Sequence, residues 1–530
     1  MDKSKETEEI LNVSIQHQVF LYTKGFLITN QDFIEKKEIY PFYNNWRLNK
    51  IKNYWFWIHQ FQKSYFFEKE DICFFLIGHA YNPFTMDYEE EKILEKMANA
   101  YQESFQKYID ILNELTGVFV IGIVEEEKMI IFNDCAGMQT VFYGFVNEKM
   151  IVSSHTQLIG DLCNLEMDLY VKELISYKFY PLFGRWLPGD ISPYERIIRL
   201  VPNNYIIFQN NEFMHYRFYP INKINECSDD EYPNVVSETA KILNNNMKLI
   251  HKKWLKPAIS LSGGCDSQTT LACTNGEYDH YQYFSYSSIL EEDVDAKAAQ
   301  KICCELGLKH KIYNISNQNE DFKDLEIFRK ILEMNSGNIG KNNANDIRKR
   351  IFFINNEDFD VEIKSWVSEI TRAYYCKRFV KKNFSKKPTP RMLTTLYKVF
   401  MHNRKLVKKT DKIFQKFLKK YYQKDEFKKI NWVDLFFWEY RISGWNGLVI
   451  TGEHNISFDI TIPYNNRKLI EQLLSIKNEK RIKDEAHQDI IIKMNENIKK
   501  INISVVNVKH TKLRALCEKM YLTIHSKLPF

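Results

Sequence analysis

Two patterns of apolar positions divide the chain. Up to residue 222 the apolar residues fall in short runs broken by turn formers. "FFLIGHAYNPF" (74–84) predicts a strand and a turn. "GVFVIGIVEE", "KMIIFND", "TVFYGFV" and "KMIVSS", between residues 117 and 154, predict antiparallel strands. "LVPNNYIIFQNNEFMHYRFY" (200–219) predicts a last strand pair around an Asn-rich turn. One stretch differs: residues 87–115 repeat with helical period and dense charge, and predict a single long helix.

From residue 223 the pattern alternates. A helix is predicted over 235–254, a buried strand at "PAISL" (257–261) and a helix from "SQTTLACT" (267–274). A strand (280–287), a helix (292–307) and a strand (310–316) follow. This β-α-β-α-β order predicts a doubly wound parallel sheet. Residues 320–530 are predicted mostly helical and packed on it. The fold class is therefore an α+β domain over 1–222, built as an antiparallel sandwich, joined to an α/β domain over 223–530.

At 530 residues and 44% hydrophobic the chain can fill two cores. No apolar run approaches the ~18 residues of a membrane span. "MDKSKETEEILN" has no apolar signal core, so the expectation is a cytoplasmic protein without a membrane partner. Ten cysteines without a CxxC argue against a disulfide framework or a zinc site. Residues 376–430 carry 19 Lys+Arg against 3 Asp+Glu, a local +16, so the other 475 residues bear −10 of the chain's net +6. "KIFQKFLKKYY" (412–422) keeps its apolar residues on one helix face, which predicts a solvated basic insert. An anionic partner such as RNA is the other reading of that charge.

The chemistry concentrates in "AISLSGGCDSQTTLA" (258–272). A strand, two glycines and a helix start place consecutive amides and a positive helix end toward an anion. Gly263 and Gly264 are expected to adopt backbone conformations closed to other residues. Ser262 and Ser267 would donate to phosphate oxygens, and Asp266 would hold Mg²⁺. Without a lysine this is not the GxxxxGK[ST] loop. It suits attack at the α-phosphate of ATP, with pyrophosphate leaving.

"SGGCDS" resembles the loop of the N-type ATP pyrophosphatases, and its surroundings resemble asparagine synthetase. "YFSYSSILEEDVDAKAAQKICCELGLKHKIY" (283–313) is similar to that family's second strand, acidic turn and helix. The resemblance implies a sheet of the adenine-nucleotide α-hydrolase type, with Leu261 and the backbone near Tyr286 holding adenosine. Residues 115–145, 149–162 and 200–208 resemble the family's Ntn-hydrolase-like amidotransferase half, and "IPYNNRKLIEQLLSI" (462–476) resembles the segment after the active site.

The chain departs from the family in both halves. A working glutaminase uses an N-terminal cysteine. This chain begins Met1-Asp2, and its first cysteine is Cys73. "IGHAYN" (77–82) keeps Gly78, Tyr81 and Asn82 but has Ile77 where the family has a substrate-gripping asparagine. The first domain is thus expected to lack glutaminase activity, as in beta-lactam synthetase and the lasso-peptide cyclases. "IKSWVSEITRAYY" (363–375) stands where the family has its SGEGxDE segment, with Ser368 at the metal-binding Asp. There Glu369 would support Mg²⁺, and Arg372 or Lys364 would contact phosphate. An amphipathic helix start is the plainer reading. The family's catalytic lysine aligns with His487, with Arg481 and Lys483 nearby. Tyr374 and Glu439 could pair as a Tyr–carboxylate base, or Glu439 could bridge Arg441 structurally.

The implied activity is ATP-dependent amide formation through an acyl-adenylate. Its partners would be a small-molecule or peptide carboxylate and an amine, with a homodimer left open. Asparagine synthesis proper, an inert ATP-binding homologue and a tRNA-modifying pyrophosphatase are the alternatives.

Overall fold

The computed structural model describes residues 3–182, 184–384, 387–398, 401–422, 426–501 and 512–527. The predicted basic insert lies partly outside these residues. The chain is a two-domain α/β protein, with antiparallel sheets in the first domain and a separate parallel sheet with helical additions in the second.

Two six-stranded antiparallel sheets make the first domain. One runs Ile197–Arg199, Phe142–Val146, Lys149–Ser153, Phe26–Thr29, Tyr54–His59, Trp46–Ile51 in spatial order. The other runs Glu212–Arg217, Asn204–Gln209, Lys128–Asn133, Thr116–Val124, Ile72–Tyr81, Ser64–Lys69. Strand period two sorts their residues. Cys73, Phe75 and Ile77 share a core with Phe56, Ile58 and Val152 of the facing sheet. Phe74 and Leu76 point the other way, onto Leu94, Met97 and Leu112 of covering helices. Both faces of this strand are buried, which explains its nearly unbroken apolar run.

The single helix expected over 87–115 is two, Glu90–Glu103 and Phe105–Glu114. Ser104 breaks it by turning extended (φ −169°), and its hydroxyl accepts from the Lys107 amide at 3.2 Å. That is an N-cap, a better use of serine than the helix interior.

The second domain carries a five-stranded, all-parallel sheet: β1 (Pro257–Ser260), β2 (Gln282–Ser287), β3 (His310–Asn314), β4 (Val361–Ile363) and β5 (Asp459–Thr461). The spatial order is β3-β2-β1-β4-β5. Beyond residue 320 helices dominate, as expected, but β4 and β5 lie there too. Residues 363–375 are not a helix start: β4 ends at Ile363, a 3₁₀ turn spans Ser368–Arg372, and a short helix spans Tyr374–Arg378.

"IPYNNRKLI" joins the domains. Asn465 Nδ2 donates to Gly117 O (2.6 Å) and to Asp134 Oδ1 (2.8 Å). Asn466 Nδ2 donates to Glu114 O at 2.7 Å. Arg467, fully buried, donates to Asn203 Oδ1 (3.0 Å) and to the Asp134 carbonyl (3.2 Å), with Phe218 4.8 Å from its guanidinium. In the basic segment, helix Arg404–Tyr421 buries Leu406, Val407, Phe414 and Phe417 and exposes Lys408, Lys412, Lys416 and Lys419. Among the described residues no helix is long and apolar enough to cross a membrane.

Candidate functional site

Chain order reverses between β1 and β4, so the connections after β1 and β4 leave in opposite directions and open a crevice at the strands' C-terminal ends. The loop 261–264 lies there, followed by helix Cys265–Ala272. Leu261 N donates to Phe284 O at 2.8 Å and Leu261 O accepts from Ser285 Oγ at 2.7 Å, fixing the loop to β2.

The crevice is a cavity of about 720 Å³. Its walls include Leu261, Ser262, Gly264, Asp266, Ser267, Tyr286, Lys364 and Glu369, all named from the sequence. Arg372, Tyr374, Lys483 and His487 are not on its surface. Lys483 is a largely exposed side chain 3.5 Å from Glu485. Arg481 is buried on Asp434 at 2.6 Å. Glu439 is fully buried and accepts both Arg217 Nη1 (2.6 Å) and Nη2 (2.9 Å), and Asn203 Nδ2 (3.0 Å). It therefore pairs with neither Tyr374 nor Arg441, correcting both expectations. Tyr374 stacks on Phe437 at 4.4 Å, and the Arg441 guanidinium lies over Trp186, Tyr374 and Trp445 at 4.9, 5.2 and 4.8 Å.

Gly264 has ordinary extended dihedrals (φ −77°, ψ 152°), so conformational freedom is not its use. A Cβ there would stand 3.3 Å from Ser262 Oγ, and the bare backbone faces the cavity instead. The loop amides already have acceptors. Gly263 N donates to Asp295 Oδ1 (3.3 Å), Ser262 N to Ser267 Oγ (3.3 Å) and Gly264 N to Ser262 Oγ (3.2 Å). These bonds are long for N–H···O. The Asp295 carboxylate thus occupies the Gly263 amide, and any other anion reaching that amide would have to displace it.

Asp266 is likewise engaged. It accepts from Ser368 Oγ at 2.5 Å and pairs with Arg372 Nη1, with His487 Nε2 at 3.9 Å. Arg372 also bridges Asp484 through Nε (2.7 Å) and Nη2 (3.0 Å). Burial would raise the Asp484 carboxyl, but Arg372 and Lys377 overcome it and hold it low. Arg372, expected on phosphate, thus sits on the carboxylate expected to hold Mg²⁺. Burial pushes His487 down to about 4 despite Asp266, so its imidazole is neutral.

Glu369 is different. Its Oε2 is shielded from solvent and has no hydrogen-bond partner. Burial, reinforced by Asp266, pushes its carboxyl up to about 7. The turn carrying it is strained: Val367 and Ala373, flanking Ser368–Arg372, have φ of 76° and 50°. A β-branched residue rarely accepts such a φ, and such strain gathers at functional sites. Of the two carboxylates named for a cation, Glu369 keeps one oxygen without a partner, whereas Asp266 is held by Arg372 and Ser368.

The remaining walls escaped the sequence reading. Glu292 and Asp295 come from the start of helix Leu290–Glu305 after β2, Lys349 and Arg350 from "DIRKR", Trp366 from the 363–375 segment, and Trp445, Glu453 and His454 from distant segments. Arg185 belongs to the first domain and reaches in through Glu453 at 2.9 Å and Asn342 at 2.5 Å. Only the acidic stretch after β2 and the 363–375 segment carried a signal.

Neither a family model nor a curated protein matches the chain. Among solved structures it is similar to the allosteric regulatory enzyme of purine biosynthesis, with TM-score 0.24 and 11% identity over 48% of this chain and 58% of that one. It is also similar to glutamine phosphoribosylpyrophosphate (PRPP) amidotransferase from B. subtilis complexed with ADP and GMP, with TM-score 0.23 and 11% identity over 70% and 74%. Likeness at this level assigns neither fold nor chemistry.

Proposed function

We propose that the chain is an ATP-dependent amide-forming ligase of the asparagine synthetase type. In this reading the first domain is an Ntn-hydrolase-like fold without glutaminase activity, and the parallel sheet is of the adenine-nucleotide α-hydrolase type. One observation carries it: the SGGCDS loop lies at the end of the central strand of a 3-2-1-4-5 parallel sheet, where the order reverses, and opens into a cavity of about 720 Å³. Cys73, the first cysteine of the sequence, is buried in a strand with its thiol pushed up to about 12 by burial, which does not suit a nucleophile.

A substrate carboxylate would attack the α-phosphorus of ATP and pyrophosphate would leave. An amine would then attack the acyl carbon, expelling AMP and forming the amide. Mg²⁺, when bound, would neutralise the phosphate tail. The amides of residues 263–264 and the helix end at Cys265 would hold pyrophosphate once Asp295 withdraws. Lys349, 4.9 Å over the Tyr286 ring, and Lys364, paired with Glu362 at 2.6 Å, would supply positive charge along the wall. Each such electrostatic contact is worth about 3 kcal/mol in the transition state.

Pyrophosphate release that depends on an added carboxylate, and is lost in Asp266→Ala, tests this reading. One observation favours a second reading, an ATP-binding scaffold without turnover: Arg372 already neutralises Asp266. ATP binding with no pyrophosphate release on any carboxylate or peptide acid would decide for it.

A further inference from the structure

A second cluster lies away from the crevice. His251 is in the last turn of helix Tyr232–Lys253. Glu277 and His280 sit on the connection between helix Cys265–Ala272 and β2, where a 3₁₀ turn spans Tyr278–His280. In a 3₁₀ turn residues i and i+3 eclipse, so Glu277 and His280 project on one side. Their Oε2 and Nε2 atoms are 3.3 Å apart. The His251 ring lies on the His280 ring, centroids 3.7 Å apart and planes 20° from parallel. One ligand atom from each of the three residues falls within 4.8 Å of the others, and no other group of three His, Cys, Asp or Glu among the described residues does so.

We infer that His251, Glu277 and His280 form a site for a borderline transition metal ion, Zn²⁺ foremost. Two imidazoles and one carboxylate are a nitrogen-rich set that suits zinc and disfavours Mg²⁺ and Ca²⁺. Zinc ligands at about 2.0–2.2 Å from the metal stand roughly 3.3 Å apart, so binding would draw the three donors, now within 4.8 Å, closer and turn the two stacked imidazoles out of parallel. His251 also lies in the last turn of a 22-residue helix, where the dipole favours positive charge. Cysteine spacing had argued against a zinc site. This one uses no sulfur, so cysteine spacing is silent on it. Filled, the site would clip the helix end to the connection leading into β2.

The test is titration of the full-length protein with Zn²⁺, and with Co²⁺ as a spectroscopic reporter, in excess Mg²⁺. The expected result is one ion per chain with a cobalt spectrum lacking thiolate charge transfer. Each of His251→Ala and His280→Ala should weaken binding at least about tenfold, and the double variant should abolish it. Zinc should raise the melting temperature of the wild type and leave that of the double variant unchanged. All three residues are partly or fully exposed, so the variants fold. Absence of one-to-one binding in the wild type overturns the inference. So does equal binding by the double variant, or a thiolate band, which would place the ion on cysteine.

Discussion

Glu369→Gln separates function from stability at one atom. The carboxyl stands near 7 instead of its ordinary 4.5, because burial penalises its charge and Asp266 repels it, with Arg372 and Arg441 opposing. A carboxyl raised in the folded state binds its proton more tightly there than in the unfolded chain. Its penalty is absent below about pH 4.5, grows as pH rises, and is complete above about pH 7. Full ionisation then costs up to about 3 kcal/mol. Glutamine carries no charge. Whatever its unpartnered amide costs, that cost does not vary with pH. The stability difference between variant and wild type should therefore move in favour of glutamine by up to about 3 kcal/mol between about pH 4.5 and pH 8.5. Urea unfolding of both proteins at the two pH values measures it. If the reading of the site is right, the same variant loses carboxylate-dependent pyrophosphate release while gaining stability at high pH. A difference that stays constant with pH would refute the argument, because the carboxyl would then be neither buried nor repelled as described.

Three further outcomes follow from the packing. Arg467→Met should destabilise by about 3–5 kcal/mol in denaturant unfolding and split one transition into two, because Asn203 Oδ1 and the Asn133 and Asp134 carbonyls lose their buried donor at the domain junction. A loss below about 1 kcal/mol contradicts it. Phe414→Ala should cost about 3–5 kcal/mol, since this residue of the basic helix is fully buried. Replacing the exposed Lys408, Lys412, Lys416 and Lys419 together by glutamine should change stability by less than about 0.5 kcal/mol and leave pyrophosphate release intact, and salt-sensitive RNA binding lost in that variant would instead revive the nucleic-acid reading of the helix.

What the sequence discloses here is local geometry, and what it hides is which distant group arrives at that geometry. β1, β2 and β3 were legible because each is a short apolar run followed by a helical one. β4 and β5 were not, since three residues show no period and both are buried. Without them the sheet has no reversal, yet the reversal is what makes the crevice. The loop was legible for the same local reason: glycine, glycine, aspartate and serine on a strand-to-helix turn are chemically distinctive. The state of that loop was not. Asp266 reads as a metal ligand only if its carboxylate is free, and Arg372, 106 residues on, is placed against it by a turn flanked by two residues at positive φ, neither of them glycine. Neither Val367 nor Ala373 announces such a backbone, because their side chains disfavour it. The acidic turn after β2 was noticed, but only the fold sets Asp295 on the Gly263 amide. The loop therefore rests in a self-paired state, its Gly263 amide on Asp295, its other amides on the Ser262 and Ser267 hydroxyls, and its carboxylate on Arg372. If the proposed ligand binds here, both pairs would oppose its entry: a phosphate would have to displace Asp295 from the Gly263 amide, and a cation would have to displace Arg372 from Asp266. A ligand that brings both charges at once, such as a metal-bound triphosphate, exchanges like for like at each position. Free inorganic phosphate can replace only one and should bind far more weakly.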